Sequence, residues 1–133
     1  MVSGVDHVAI AAQDSRSLAR WYCEILGLKI LFDNGKDDPT YLVGGDMGAV
    51  VEIMPDNKGK PAAHQPLDPG IRHIALRVRD FDAAYSALQG MASEGKLLGL
   101  MPPGPAAGGG QIAFFHDPEG NLLQLVSRNQ ELF

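Results

Sequence analysis

Four side chains in this chain combine chemistry with a repeating position. His7 and His73 offer imidazoles, Glu52 a carboxylate and Gln124 an amide. Two imidazoles and one carboxylate make a facial donor set for a divalent ion. Zn, Ni, Co, Mn and Fe all accept such donors, and ligand type alone does not choose among them. Glu52 has a second use as a general base, if it is not held as a ligand. Taken one at a time, each residue also has a structural reading. A lone histidine on a strand commonly packs, and a lone glutamine commonly completes a hydrogen bond. A carboxylate inside an apolar strand is different, because burying it unpartnered is costly.

The four positions are not independent. Asp6-His7-Val8-Ala9-Ile10 returns half a chain later as Arg72-His73-Ile74-Ala75-Leu76, and Val51-Glu52-Ile53 returns as Leu123-Gln124-Leu125. Such internal similarity is the mark of a duplicated structural unit. Strand alternation sorts each segment into two faces. Val8 and Ile10 share one face; His7, Ala9 and Ala11 share the other. Ile74, Leu76 and Val78 oppose His73, Ala75 and Arg77, Val51 and Ile53 oppose Glu52, and Leu123 and Leu125 oppose Gln124. The apolar faces must cover helices. If two units pair about a pseudo-twofold axis, the four polar side chains converge.

The elements that hold these residues also repeat. Each first strand runs into an aspartate, Asp14 or Asp80, suited to cap a helix. Leu18, Trp21, Tyr22, Ile25 and Leu26 then form an amphipathic stripe closed by Gly27. Phe81, Ala84, Tyr85 and Leu88 form the second, closed by Gly95 and weakened at Gly90. Three strands are expected after each helix: 28–32, 40–43 and 49–54, then 96–101, 111–116 and 121–127. Asp117-Pro118-Glu119-Gly120 reads as the reverse turn between the last two. The chain is thus expected as one α+β domain of two βαβββ modules, 4–55 and 71–128, with a proline-bearing linker over 56–70. The modules are expected to pair into a curved, barrel-like cleft of mixed sheet with the helices outside. The glycine-rich stretch 102–110 reads as a connector or pocket-edge loop. It is no phosphate cradle, because no Gly-Lys-Ser/Thr follows and no helix opens after it.

Composition narrows the partners. With 133 residues, 45% of them hydrophobic, the chain suits one compact domain. A net charge of −5 argues against nucleic acid, which needs clustered cations. Arg72, Arg77 and Arg79 read as a solvated strand face rather than an anion site. No apolar run approaches the roughly 18 residues of a membrane span, and the run into Val5-Asp6-His7-Val8 lacks the build of a signal peptide. The single cysteine, Cys23, excludes an intrachain disulfide and reads as a packing residue. A reducing cytoplasm is the expected compartment.

Asp-His-Val-Ala-Ile, Trp-Tyr-Cys-Glu-Ile-Leu-Gly-Leu, Arg-His-Ile-Ala-Leu-Arg-Val and Phe-Phe-His-Asp-Pro-Glu-Gly-Asn-Leu-Leu-Gln-Leu-Val together resemble the landmarks of the vicinal oxygen chelate superfamily. That superfamily includes glyoxalase I, methylmalonyl-CoA epimerase, extradiol dioxygenases, thiol transferases that destroy fosfomycin, and antibiotic-sequestering proteins without metal. The resemblance implies metal ligation by His7, Glu52, His73 and Gln124. It departs at the fourth position. Glyoxalase I, the dioxygenases and the fosfomycin enzymes have Glu there, whereas the epimerases carry His, Gln, His, Glu, which is this set with Glu52 and Gln124 exchanged.

The implied function is that of a glyoxalase-like, metal-dependent lyase or isomerase. Its substrate would be a small carbonyl or thioester compound reacting through an enolate-type oxyanion. The alternatives are non-catalytic binding of a small molecule and Fe(II) dioxygenation. Glu52 is the expected catalytic residue; Met54, Arg77 and Phe114 are the expected substrate contacts. Tyr22, Tyr41 and His116 are further pocket candidates with a structural reading beside each. The expected assembly is a homodimer, since modules of this superfamily pair within one chain or between two.

Overall fold

A computed structural model describes residues 1–60 and 67–132. The chain divides into two compact units, Met1–Ala62 and Ala63–Phe133. The expected linker prolines Pro61 and Pro66 lie outside the described residues.

The first unit runs β1 (His7–Ala12), α1 (Ser15–Leu26), β2 (Lys29–Asp33), β3 (Tyr41–Gly44) and β4 (Val50–Pro55). Its sheet has the order β1-β4-β3-β2. β1 lies parallel to β4, and the other neighbours are antiparallel. The helix starts where the sequence places it: Asp14 accepts a hydrogen bond from the Ser17 backbone N–H at 2.9 Å. That bond also holds the Asp14 carboxyl below the usual carboxylate range. It ends at Gly27, whose φ of 72° is left-handed. The stripe buries Leu18, Ala19 and Tyr22 with Ile10, Ala12, Val51 and Ile53. Ser15 donates to the Pro39 carbonyl at 2.6 Å, tying the helix start to the loop before β3.

The second unit repeats the plan: β5 (Ile74–Arg77), α2 (Phe81–Ser93), β6 (Gly104–Pro105), β7 (Gln111–His116) and β8 (Leu122–Ser127). Its sheet order is β5-β8-β7-β6, again parallel at the first pair and antiparallel elsewhere. Asp80 caps α2 through the Ala83 N–H at 3.1 Å. Phe115, Leu123, Leu125, Phe81 and Leu88 form the core. The turn before β8 is organised by a buried carboxylate. Asp117 accepts from the backbone N–H groups of Glu119 and Asn121, at 2.9 and 3.0 Å, and from the Asn121 side chain at 2.8 Å. Gly120 supplies the expected positive φ, 86°.

One strand falls elsewhere than expected. Over 96–101 there is a single bridge, Leu98 to His116. Gly99, with φ 67°, breaks the extended run, and Pro102 and Pro103 follow with no N–H to donate. Ladder pairing resumes at Gly104–Pro105. The glycine-rich stretch then folds back on itself, with Gly109 donating to the Ala106 carbonyl and Arg128 donating to the carbonyl of Ala107.

Two glycines give opposite expectations from one substitution. A Cβ on Gly110, at φ 109°, would collide with the Ser127 carbonyl oxygen. The strain alone is worth about 1–3 kcal/mol, so Gly110→Ala should lower the urea midpoint sharply. Gly90, inside α2, has nothing within 4 Å of such a Cβ. Gly90→Ala should raise the midpoint by up to about 1 kcal/mol equivalent.

Candidate functional site

Each unit carries one face that is not covered by its helix. On the first, Val51 and Ile53 are buried toward α1, while His7, Ala9, Ala11 and Met54 are exposed and Glu52 is half-buried. Strand register places Glu52 between Ala9 on β1 and Leu42 on β3. On the second unit, register places Gln124 between Ala75 on β5 and Phe114 on β7. The two units therefore set a polar side chain at the same point of the same sheet, with alanine on one side and an apolar side chain on the other. Neither Glu52 nor Gln124 makes a hydrogen bond or ion pair among the described residues. Their polar atoms are still reached by solvent, since no buried side-chain nitrogen or oxygen among the described residues lacks a partner.

The histidines flank these positions. His7 precedes Ala9 on the Glu52 face, and the Glu52 charge is near enough to favour protonation of the ring. The larger effect on His7 is its contact with Asp6, Nδ1 to Oδ2 at 2.8 Å, which raises its pKa. A carboxylate only accepts, so Nδ1 bears the hydrogen and Nε2 keeps its lone pair. A carboxylate behind an imidazole in this way fixes the tautomer and the ring orientation of a metal ligand. His73 packs edge-to-face on Phe114, with ring centroids 5.1 Å apart. Partial burial, and secondarily the Arg72 charge, lower its pKa and favour the neutral ring a ligand needs.

The structure thus brings His7 together with Glu52 on one sheet, and His73 with Phe114 and Gln124 on the other. It does not gather a triad: among the described residues no three His, Cys, Asp or Glu side chains are close enough to share a metal ion. Each unit holds only half of the donor set. The expected substrate contacts lie on the same two faces, Met54 two residues beyond Glu52 and Phe114 directly beside Gln124. Arg77 lies on the second face but is engaged by Glu131 at 3.0 Å.

Tyr22 and Tyr41, 0% and 8% exposed, belong to the core and not to the polar face, which settles their structural reading. His116 lies at the far end of the Phe114 face, paired in register with Leu122. Cys23 is half-buried on α1, and burial raises the pKa of its thiol. No helix among the described residues is long and apolar enough to cross a membrane. Sequence reasoning placed Arg72 in a solvated group and missed its contacts on this face. Its guanidinium stands over the Phe114 ring at 4.8 Å and meets His73 Nδ1 at 3.3 Å. The available signal was its place in the repeat, where it is the counterpart of Asp6.

Comparison with known proteins adds a family. A family model described as the Glyoxalase/Bleomycin resistance protein/Dioxygenase superfamily matches residues 4–125. A probable lactoylglutathione lyase of Vibrio parahaemolyticus is 30% identical over 131 residues, spanning 93% of this chain and 90% of its own. A glyoxylase/bleomycin resistance protein/dioxygenase domain from Frankia sp. EAN1pec superposes with a TM-score of 0.75 at 23% identity, covering 97% of this chain and 100% of that one. An antibiotic binding protein from Streptomyces sp. CB03234 has the same fold, with a TM-score of 0.69 at 21% identity over 96% of this chain and 98% of its own.

Proposed function

This chain belongs to the Glyoxalase/Bleomycin resistance protein/Dioxygenase superfamily, and within it we propose a metal-dependent lyase or isomerase that moves a proton next to a carbonyl. The carrying observation is the pair of repeat-equivalent, unpartnered side chains Glu52 and Gln124 at identical sheet positions, each flanked by a histidine. The donor set of two imidazoles, a carboxylate and an amide fits one divalent ion, Zn, Ni, Co, Mn or Fe. His7, Glu52, His73 and Gln124 would hold it. Such an ion, when bound, supplies Lewis acidity toward vicinal oxygens.

The chain's own residues do the rest. Glu52, once detached from the ion, takes the proton from the carbon beside the carbonyl as a general base. Asp6 keeps His7 in the tautomer with a bare Nε2. Gln124 has an N–H to donate to a developing oxyanion but no proton to exchange. Phe114 and Met54 offer apolar contact to the substrate's carbon skeleton. The probable lactoylglutathione lyase from Vibrio parahaemolyticus supports a hemithioacetal or related small carbonyl compound as the substrate type.

With half of the donor set on each unit, a homodimer of a soluble protein is the assembly this reading favours. Sedimentation at micromolar concentration should show a dimer, and the protein should turn over the hemithioacetal of methylglyoxal and glutathione slowly, only with added metal. A monomer counts against the assembly. Turnover that is equal with and without chelator counts against metal dependence. Tight binding of an apolar drug by metal-free protein, without turnover, would instead favour sequestration.

A further inference from the structure

The two histidines occupy equivalent places but have opposite neighbours. Asp6 precedes His7, and Arg72 precedes His73. The consequence lies in hydrogen-bond polarity. The Asp6 carboxylate accepts from His7 Nδ1, so that ring presents a bare Nε2. The Arg72 guanidinium has only hydrogens to give. At 3.3 Å it donates to His73 Nδ1, so that ring carries its hydrogen on Nε2. An imidazole in this form does not ligate through Nε2. Ligation requires the hydrogen to pass, through solvent, from Nε2 to Nδ1. The Nδ1–H and the guanidinium are then both donors, and their bond is lost.

The freed guanidinium has no acid to turn to. Arg77 is paired with Glu131, Lys58 with Asp56 and Lys96 with Glu94. Arg72 meets no carboxylate among the described residues; its partners are His73 and the face of Phe114. The ring restrains the guanidinium over Phe114, the strand neighbour of Gln124, and once His73 releases it the N–H edges are available. A planar, singly charged fork of donors matches a carboxylate two-to-two.

We propose that Arg72 reads a carboxylate on the substrate, a role that rests on the metal-site reading above, and that its release from His73 accompanies ligation. The substrate class narrows to carbonyl or thioester compounds bearing a carboxylate away from the reacting carbon. The arginine group expected from sequence to be a plain solvated face then contains one residue with a ligand.

Histidine long-range 1H–15N spectra of the metal-free protein test the first half. His7 should show hydrogen on Nδ1 and His73 on Nε2, and Arg72→Ala should move His73 toward a tautomer mixture. The second half uses two probes that chelate alike, succinic monohydroxamate and the neutral hydroxamate of succinamic acid, titrated by calorimetry into zinc-loaded protein. Wild type should prefer the carboxylate-bearing probe about tenfold. Arg72→Ala should bring the ratio near one, and Arg72→Lys should keep part of it. No preference in wild type, or a preference that survives Arg72→Ala, overturns the proposal. Failure to take up zinc counts against the metal reading alone. Adding succinate to metal-free protein then decides for Arg72: the His73 ring signals should move in wild type and stay fixed in Arg72→Ala, and the same movement in both rejects it.

Discussion

His7→Ala and His73→Ala proteins, purified without metal-binding tags, should each lose stoichiometric metal while keeping the wild-type circular dichroism spectrum. The fold should survive because neither side chain is in a core. The His7 side chain is 41% exposed, and His73 lies just before β5, on the face away from Leu76. Each substitution removes one of two nitrogen donors, which neither Gln124 nor water replaces in strength. A graded companion sharpens the argument. Asp6 touches the ring and would be an outer partner of a bound ion, so Asp6→Ala should weaken binding only by roughly the 10–100-fold typical of such a partner. Elemental analysis after gel filtration reads the first effect, and competition with a chromophoric chelator reads the second. Unchanged metal content in both histidine variants would end the metal-site reading, whatever happens at Asp6.

The βαβββ element order was legible because duplication fixes more than either half does alone; the strand order within each sheet came from the structure. His7 and His73 mark the first strands, Glu52 and Gln124 the last, and the parallel pairings β1 with β4 and β5 with β8 bring each pair to one face. The aspartate caps were equally legible, since Asp14 and Asp80 stand one residue before an amphipathic stripe. The misplaced strand had a physical cause that hydrophobic alternation does not register. Lys96 to Met101 looks like a strand by its leucines, but Gly99 sits at positive φ and the two prolines beyond deny the ladder its donors. Arg72 was read only as part of a solvated face for a related reason. Its contacts are a hydrogen bond to its neighbour and a ring from β7, and the second is not encoded within its own strand.

The donor set itself was legible only as positions. Sequence places four side chains on two faces; the structure adds that Glu52 and Gln124 make no side-chain hydrogen bond among the described residues and that the His7 ring is held by Asp6. Those additions support the proposed site: the His7 ring is oriented as a ligand, and neither the carboxylate nor the amide is taken up by another described side chain.

Gln124→Glu should convert a poor isomerase of the methylglyoxal–glutathione hemithioacetal into a better one, by about 10²-fold or more. Gln124 holds the position equivalent to Glu52 in the repeat, between Ala75 and Phe114. Moving a proton from one carbon to the next requires a group that takes it up and returns it near neutral pH. An amide does not titrate there, so wild type depends on Glu52 alone. A second carboxylate has two opposing effects. It lowers the net positive charge of the loaded site, which strengthens metal binding and weakens the Lewis acidity of the ion. It also supplies the missing base, an effect typically worth about 10²–10⁴-fold in rate, and this gain should dominate. The fold should tolerate the change, since Glu and Gln are nearly isosteric and Gln124 makes no hydrogen bond among the described residues for the substitution to break. The measurement is kcat and kcat/KM with nickel or zinc supplied at saturation, so that tighter metal binding does not pass for faster chemistry. Efficient wild-type turnover with no gain in the variant would show that Glu52 performs the whole transfer and that the fourth position is only a ligand. A gain confined to subsaturating metal would assign the effect to affinity and leave the base at Glu52.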